Sequence, residues 1–179
     1  MIVRFADQTP ITEEGHPLVM YRLLDRERHT AGLSVTWLRN ECRRLDVAGD
    51  EVWMVGLENA TPAAARAFEG VPAGAFTILI HHSPDVVFDL EGMHPDVILV
   101  GHTHGGQVVL PLVGAPMTLD RLGRRYASGL FDWNGAPLFV NRGIGLEGNF
   151  APPIRFNCQP IVALLELCPG EPPAAAATH

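Results

Sequence analysis

An apolar strand that runs into a loop of glycine and histidine constrains this chain more than any other feature. The strand is predicted over 97–100 and continues into 101–107, Gly-His-Thr-His-Gly-Gly-Gln. Alternate residues of an extended chain point to the same side, so we expect His102 and His104 to project together just past the carboxyl end of the strand. Ligand sites of α/β sheets collect at that edge, and neutral imidazole is a good ligand for zinc, iron or manganese.

A second apolar strand ends in the same way. It is predicted over 76–80 and is followed by 81–85, His-His-Ser-Pro-Asp. Two loop histidines without a ligand would explain 101–107 alone equally well. Two separate strands that both deliver histidine at their carboxyl ends favour a metal site instead.

The two histidine segments, 80–85 and 101–107, resemble the last two metal motifs of the calcineurin-like metallophosphoesterases. The Gly-Gly-Gln ending narrows the resemblance to the branch with bacterial membrane-associated phosphodiesterases and UDP-2,3-diacylglucosamine pyrophosphatases. Three further segments agree with that branch: 39–41 (Arg-Asn-Glu), 140–145 (Val-Asn-Arg-Gly-Ile-Gly) and 154–156 (Ile-Arg-Phe). The resemblance extends from about Gly32 to Cys168.

The resemblance implies an α/β fold, namely the C-terminal half of an αββα sandwich with mixed sheets. That half-domain would occupy 33–168. Residues 1–32 would be a divergent N-terminal leader. Residues 169–179 are rich in proline and alanine, a composition typical of disorder.

The resemblance also implies a site for two divalent transition-metal ions (Mn, Fe or Zn). His82 and His102 would ligate one ion and His104 the other, whereas His81 would be a neighbour of the ligand position. A single ion held by His82, His102 and His104 is an alternative, since catalytic zinc sites use three protein ligands and an open position.

Three upstream motifs of the family have no counterpart in this chain. They are an Asp-x-His, a Gly-Asp-x-x-Asp and a Gly-Asn-His, which supply the bridging aspartate, an asparagine ligand and a general-acid histidine. Residues 2–9 echo the first motif, but Thr9 stands where the histidine would be. No catalytic residue is therefore assigned.

Three further residues are candidates for substrate binding. Asn141 and Arg142 end a predicted strand in a glycine-rich turn, and Arg155 precedes the last apolar strand. Each would bind a substrate phosphate by resemblance. Turn chemistry or a surface ion pair is the alternative for all three.

Composition narrows the classes of partner. The 179 residues suit about one domain, and the net charge of −7 argues against nucleic acid. No apolar run reaches the ~18–20 residues needed to span a bilayer. By resemblance the substrate would be a phosphate ester or a nucleotide-linked lipid. The expected location is the cytoplasm, at the membrane periphery in a full-length form.

The three cysteines form no disulfide pattern and are expected to be reduced, mostly buried thiols.

The hydrophobic pattern predicts helices over 18–28 and from Thr61 to Phe68. Strands are predicted over 35–38, 42–47, 51–57, 76–80, 97–100, 107–110, 127–133, 137–141 and 161–167. The last four are expected to form an antiparallel set. Without the upstream half, the strands at 35–38 and 76–80 would be exposed, and self-association is expected.

Three functional hypotheses follow. The chain is a metal-dependent phosphoesterase by descent, a truncated remnant that retains a histidine metal site without catalysis, or an interaction module that recruits a partner strand at a sheet edge.

Overall fold

The computed structural model describes residues 2–5, 9–10, 36–47, 49–58, 63–118, 120–148 and 153–168. The ten strands of this part of the chain are β1 (Ile2–Phe5), β2 (Thr9–Pro10), β3 (Glu41–Val47), β4 (Asp50–Gly56), β5 (Phe76–Ile80), β6 (Val97–Val100), β7 (Gly129–Trp133), β8 (Ala136–Val140), β9 (Ile161–Val162) and β10 (Leu165–Cys168). One α-helix is described, α1 (Ala63–Phe68), together with 3-10 helices over Pro84–Asp89, His104–Gly106 and Arg124–Tyr126. None of the described helices has the length and apolarity to cross a membrane.

Six strands form one mixed sheet in the order β3-β4-β5-β6-β8-β7. The four central strands, β4, β5, β6 and β8, are parallel, while β3 and β7 pair antiparallel at the two edges. The central strands are apolar almost throughout, as expected for parallel strands covered on both faces. The expected α/β fold with a mixed sheet is confirmed.

The two faces of the sheet bury different side chains. One face holds Val55, Leu79 and Leu138, all with 0% exposure, beneath α1 and the 3-10 helix over Pro84–Asp89. The other holds a smaller cluster of Val52, Ile78 and Val97, against which Leu167 of β10 packs. β10 pairs antiparallel with β1, and β9 pairs with β2. These two short ladders begin a second layer.

Two predicted strands are wrong. Residues 36–38 form no strand; Leu38 packs on Gly56 of β4 so closely that a Cβ added at Gly56 would stand 2.9 Å from the Leu38 carbonyl oxygen. Residues 107–110 make only isolated bridges at Val108 and Leu110, because Gln107 takes a left-handed backbone angle (φ 55°) and turns the chain.

The predicted antiparallel set is confirmed only for β7 and β8. β8 pairs antiparallel with β7 but parallel with β6, and the predicted strand 161–167 divides into β9 and β10, which pair with β2 and β1. The predicted exposure of 76–80 is likewise wrong, since β5 is a central strand with buried Thr77, Ile78 and Leu79.

Several predictions lie outside the described residues. They are the helix over 18–28, the helix start at Thr61, the tail 169–179 and most of the leader 1–32, of which only 2–5 and 9–10 are described. The three cysteines are free. The prediction that they are mostly buried is wrong, because Cys158 is buried whereas Cys42 and Cys168 are partly exposed.

Candidate functional site

The carboxyl ends of the parallel strands bring the sequence motifs to one edge of the sheet. Strand pairing continues into the loops, since Gly101 N–H donates to His82 O (2.9 Å) and Asn141 N–H donates to Val100 O (2.8 Å). The segments that follow β5, β6 and β8 therefore run side by side. This is why two histidine motifs 20 residues apart, and a third motif 40 residues further on, meet.

His82 and His102 face each other across this edge. His82 Nε2 lies 3.0 Å from His102 Nδ1, and the ring centroids are 4.7 Å apart. This is a hydrogen-bond distance between the two rings, and two imidazole nitrogens also lie about this far apart when both bind one ion with bonds of ~2.0–2.1 Å. His102 and His104 both have left-handed backbone angles, with φ of 72° and 51°. Strand alternation does not set the directions of their side chains, because both residues lie beyond the end of β6 at Val100.

The ring of His104 is held by the loop that follows β8. His104 Nδ1 lies 3.1 Å from Gly145 O, and a carbonyl oxygen can only accept a hydrogen bond. The proton of the neutral ring is therefore on Nδ1, and Nε2 carries the lone pair. When a histidine binds a metal ion through one ring nitrogen, the N–H of its other ring nitrogen usually donates a hydrogen bond to a group such as a backbone carbonyl.

His81 is engaged by its own loop. Its Nδ1 lies 2.8 Å from Ser83 O and 3.1 Å from Ser83 N. The hydroxyl of Ser83 in turn caps the 3-10 helix over Pro84–Asp89. One nitrogen of His81 is thus used locally, whereas His82 reaches His102.

A cleft of about 350 Å³ opens beside the histidines. Its polar lining comes from His81, His102, His104, Asn141 and Arg142, and its apolar floor includes Ile80, Leu99 and Phe139. The volume lies in the range of small-ligand sites.

Asn141 and Arg142 offer donors in this cleft. Asn141 Oδ1 accepts from Gly143 N–H (2.9 Å), which fixes the amide. Arg142 Nε is buried and has no hydrogen-bond partner within the part of the chain that the structure describes. A phosphate-binding role for Asn141 and Arg142 stays a prediction.

Arg155 holds the loops of the site together. Its guanidinium donates to five backbone carbonyls at 2.7–3.2 Å: His104, Arg142, Gly143, Gly145 and Cys158. Burial lowers the pKa of the Arg155 guanidinium, against an opposite effect of the Cys158 side chain. Arginine nevertheless stays charged at neutral pH. The terminal nitrogens therefore serve the backbone, and a substrate role for Arg155 stays a prediction.

The glycines after His104 are required by close packing. A Cβ on Gly105 (φ +66°) would lie 2.7 Å from Cys158 Sγ, and one on Gly106 (φ +77°) would lie 2.5 Å from Ala115 Cβ. Both positions therefore combine a left-handed backbone with no room for a side chain. This explains the Gly-Gly pair physically.

Gln107 is a buried polar residue for which the sequence motifs predict no role. It is 1% exposed, its Nε2 donates to Glu147 O (3.0 Å), and its Oε1 accepts from Glu147 N–H. It fastens the histidine loop to the loop that follows β8. Its place directly after two glycines is the sequence signal for such a role, because a turn there directs the next side chain inward.

Comparison with known proteins finds relatives that are named metallophosphoesterases. The chain is 30% identical to an uncharacterized metallophosphoesterase, YkuE of Bacillus subtilis, over 157 residues, which are 86% of this chain and 52% of the relative. It is 29% identical to the phosphodiesterase YaeI of Escherichia coli, over 87% of this chain and 53% of the relative. The chain is a relative of the metallophosphoesterases. It spans about half the length of these two proteins.

A third relative bears a more specific name. It is the UDP-2,3-diacylglucosamine pyrophosphatase LpxG of Chlamydia trachomatis, which is 33% identical over 102 residues, 53% of this chain and 30% of the relative. No family model matches the chain, and no solved structure matches it significantly.

Imidazole nitrogens are ligands that transition-metal ions accept. The described residues supply only part of the coordination sphere of such an ion. His82 and His102 place two imidazole nitrogens 3.0 Å apart. In the described ranges, no group of three or more His, Cys, Asp or Glu side chains is arranged to hold an ion. The ligand roles of His82, His102 and His104 stay predictions.

Proposed function

We propose that this chain supplies the histidine part of a metal-dependent phosphoesterase site that hydrolyses phosphodiester or pyrophosphate bonds. The observation that carries the proposal is the His82–His102 contact of 3.0 Å at the carboxyl edge of two parallel strands. The names of the relatives, metallophosphoesterase and phosphodiesterase, support hydrolysis of phosphate esters at the level of the family.

Each residue of the edge has a role in this proposal. His82 and His102 ligate one divalent ion, and His104 offers Nε2 to a second because Gly145 O holds its Nδ1 proton. Bound ions of this kind acidify a water molecule and polarise the phosphate. Arg142 and Asn141, which line the same cleft as His102 and His104, bind the phosphate group.

The proposed substrate is a phosphate ester. More specifically, we propose a nucleotide-linked lipid. The finer proposal rests on the name of LpxG, a UDP-2,3-diacylglucosamine pyrophosphatase. The apolar floor of the cleft, with Ile80, Leu99 and Phe139, suits a substrate that carries an apolar part.

Metal binding tests the histidine roles directly. Isothermal titration with Mn²⁺ or Zn²⁺ is expected to show binding by the parent chain and its loss in His102→Ala. His94→Ala is the matched control, because His94 is exposed and belongs to a different loop. Equal binding by His102→Ala and the parent would contradict the proposal.

Activity is the second measurement. Since the upstream motifs have no counterpart here, we expect hydrolysis of bis(p-nitrophenyl) phosphate with Mn²⁺ to be very slow, and His102→Ala to abolish what remains. Metal binding with no turnover would favour the non-catalytic alternative. Turnover comparable to that of a full-length relative would contradict the inference drawn from the missing motifs.

A specific observation favours the interaction-module alternative. β3 is an edge strand that pairs only with β4 among the described strands, and most of its residues are exposed. Such an edge can accept another strand.

A further inference from the structure

The carbonyl group of Gly145 decides which nitrogen of the His104 ring is open to a ligand. His104 Nδ1 lies 3.1 Å from Gly145 O, so the proton of the neutral ring is on Nδ1 and the lone pair is on Nε2. If that carbonyl were turned away, either ring nitrogen could carry the proton. A ring with its proton on Nε2 would offer Nδ1 instead, which faces the backbone of the loop after β8. The direction of one carbonyl therefore sets the chemistry of this ring.

The backbone of Gly145 does not set that direction by itself. Glycine has no Cβ and adopts the widest range of backbone angles, so its carbonyl depends on anchors supplied by other residues. One anchor is Arg155, whose Nη2 donates to Gly145 O at 2.7 Å. This charged donor lies closer than the His104 ring, and charge-assisted hydrogen bonds are the stronger kind. Arg155 alone therefore holds the carbonyl without directing it at His104.

Gln107 supplies a second anchor two residues further along the loop. Gln107 Nε2 donates to Glu147 O (3.0 Å), and Gln107 Oε1 accepts from Glu147 N–H. A primary amide carries a donor and an acceptor side by side, so it pairs with both polar groups of one residue as a neighbouring strand would. With one anchor at Gly145 and another at Glu147, the peptide groups between them are fixed.

The main chain of Gln107 is held as well. Its N–H donates to His104 O (3.2 Å), and its carbonyl accepts from Phe156 N–H (2.9 Å). The residue is 1% exposed, so the amide is shielded from water, and fully paired buried polar groups make a site rigid. One residue thus contacts both the backbone of His104 and the loop that orients the His104 ring.

We propose that Gln107 is a positioning residue for His104. By holding Glu147 it directs Gly145 O at the ring, and so keeps the proton of the neutral ring on Nδ1 and the lone pair on Nε2. The tautomer is a property of the metal-free chain and does not depend on the proposed function. Ligation of an ion through Nε2 does rest on that function, and outer partners of this kind contribute about 10–100-fold to metal affinity.

Nitrogen-15 NMR of the histidine rings tests the tautomer in the full chain without metal. Spectra are recorded at about pH 8.5, above the range in which imidazole ordinarily titrates. In the parent, Nδ1 of His104 is expected to show the shift of a protonated nitrogen and Nε2 that of an unprotonated one. The His104 signals are those that are absent from His104→Ala. The opposite tautomer in the parent would overturn the proposal.

Two variants of Gln107 test its part in this. Gln107→Met removes both hydrogen bonds of the amide with little change in volume, and the His104 Nδ1 signal should move toward that of an unprotonated nitrogen. Gln107→Glu keeps an acceptor for Glu147 N–H, but its carboxylate cannot donate to Glu147 O, so the signal should move in the same direction. An unchanged tautomer in either folded variant would overturn the proposal.

Thr77→Val is the matched control. The Thr77 side chain is also buried (4% exposed), and its hydroxyl donates to Asp96 Oδ2 (3.1 Å) and accepts from Asp96 N–H (3.2 Å) near the amino end of β5. This variant should melt at a lower temperature than the parent and keep the parent tautomer of His104. A shift like that of Gln107→Met would contradict the proposal, because it would reflect a general loosening of the fold.

Titration with Mn²⁺ separates this inference from the proposed function. Gln107→Met should weaken, by about 10–100-fold, the binding step that His104→Ala abolishes, and Thr77→Val should leave that step unchanged. If the parent binds no Mn²⁺, the proposed function fails, and the NMR result alone decides the role of Gln107. Equal affinity of Gln107→Met and the parent at that step would contradict the positioning role.

Discussion

At the scale of the residue, the site is organised by side chains that were not predicted as organisers. Arg155 is a candidate for phosphate binding, and its terminal nitrogens hold five backbone carbonyls of three loops. Its sequence environment, Ile-Arg-Phe, cannot distinguish these roles, because both need a buried positive charge. Only the fold shows which acceptors surround it.

Arg155→Lys is expected to destabilise the fold. Lysine is a point charge with three donors and cannot bridge the carbonyls as the planar guanidinium does. Loss of two or more charge-assisted hydrogen bonds should lower the free energy of unfolding by about 3 kcal/mol. Urea denaturation measures this. Arg124→Lys, at an exposed position, is the control and should stay within ~0.5 kcal/mol of the parent. Equal stability of both variants would exclude the clamp.

Gly106→Ala tests the packing behind His104. The new Cβ would lie 2.5 Å from Ala115 Cβ, and the alanine would have to adopt the left-handed backbone of Gly106. We expect a loss of about 2–4 kcal/mol, of which ~1 kcal/mol is backbone strain. Gly135→Ala isolates the strain, since Gly135 has φ +89° and open space around it. Thermal melts measure both variants. Equal losses of stability in Gly106→Ala and Gly135→Ala would show that Ala115 moves aside with no energetic penalty.

At the scale of the element, the sequence predicts the central strands well and the connections poorly. β5 and β6 have the predicted bounds because short apolar runs between turn residues are buried on both faces of a parallel sheet. The segment 107–110 has the same apolar character but follows two left-handed glycines, and its chain turns away. Pairing partners depend on contacts distant in sequence, so β8 beside β6 was not foreseen.

We expect self-association through the edge strand β3, because β5 is a central strand and is not available for pairing. Leu45 and Val47 are 39% and 38% exposed on this edge. Leu45→Lys is expected to reduce association, since charged side chains protect sheet edges. Sizing chromatography with light scattering measures this, with Leu130→Lys on the opposite edge strand as the control. A monomeric parent with a sharp melt would contradict the expectation.

At the scale of the whole molecule, one topological fact explains the site. β5, β6 and β8 are parallel neighbours, so their carboxyl ends place His82, His102 and Asn141 on one edge. The motif spacing predicted the meeting of the first two. The direction of the His104 ring was not predictable, because it depends on Gly145 O, which lies 41 residues away in the sequence.

The central claim is that His82 and His102 share one metal ion. The most direct measurement is a crystal structure of the chain grown with Mn²⁺ or Zn²⁺, with anomalous scattering recorded at the metal edge. The account predicts an anomalous peak ~2.0–2.1 Å from His82 Nε2 and His102 Nδ1. A fully loaded ion bound elsewhere, or these two rings in direct hydrogen bond at saturating metal, would contradict it.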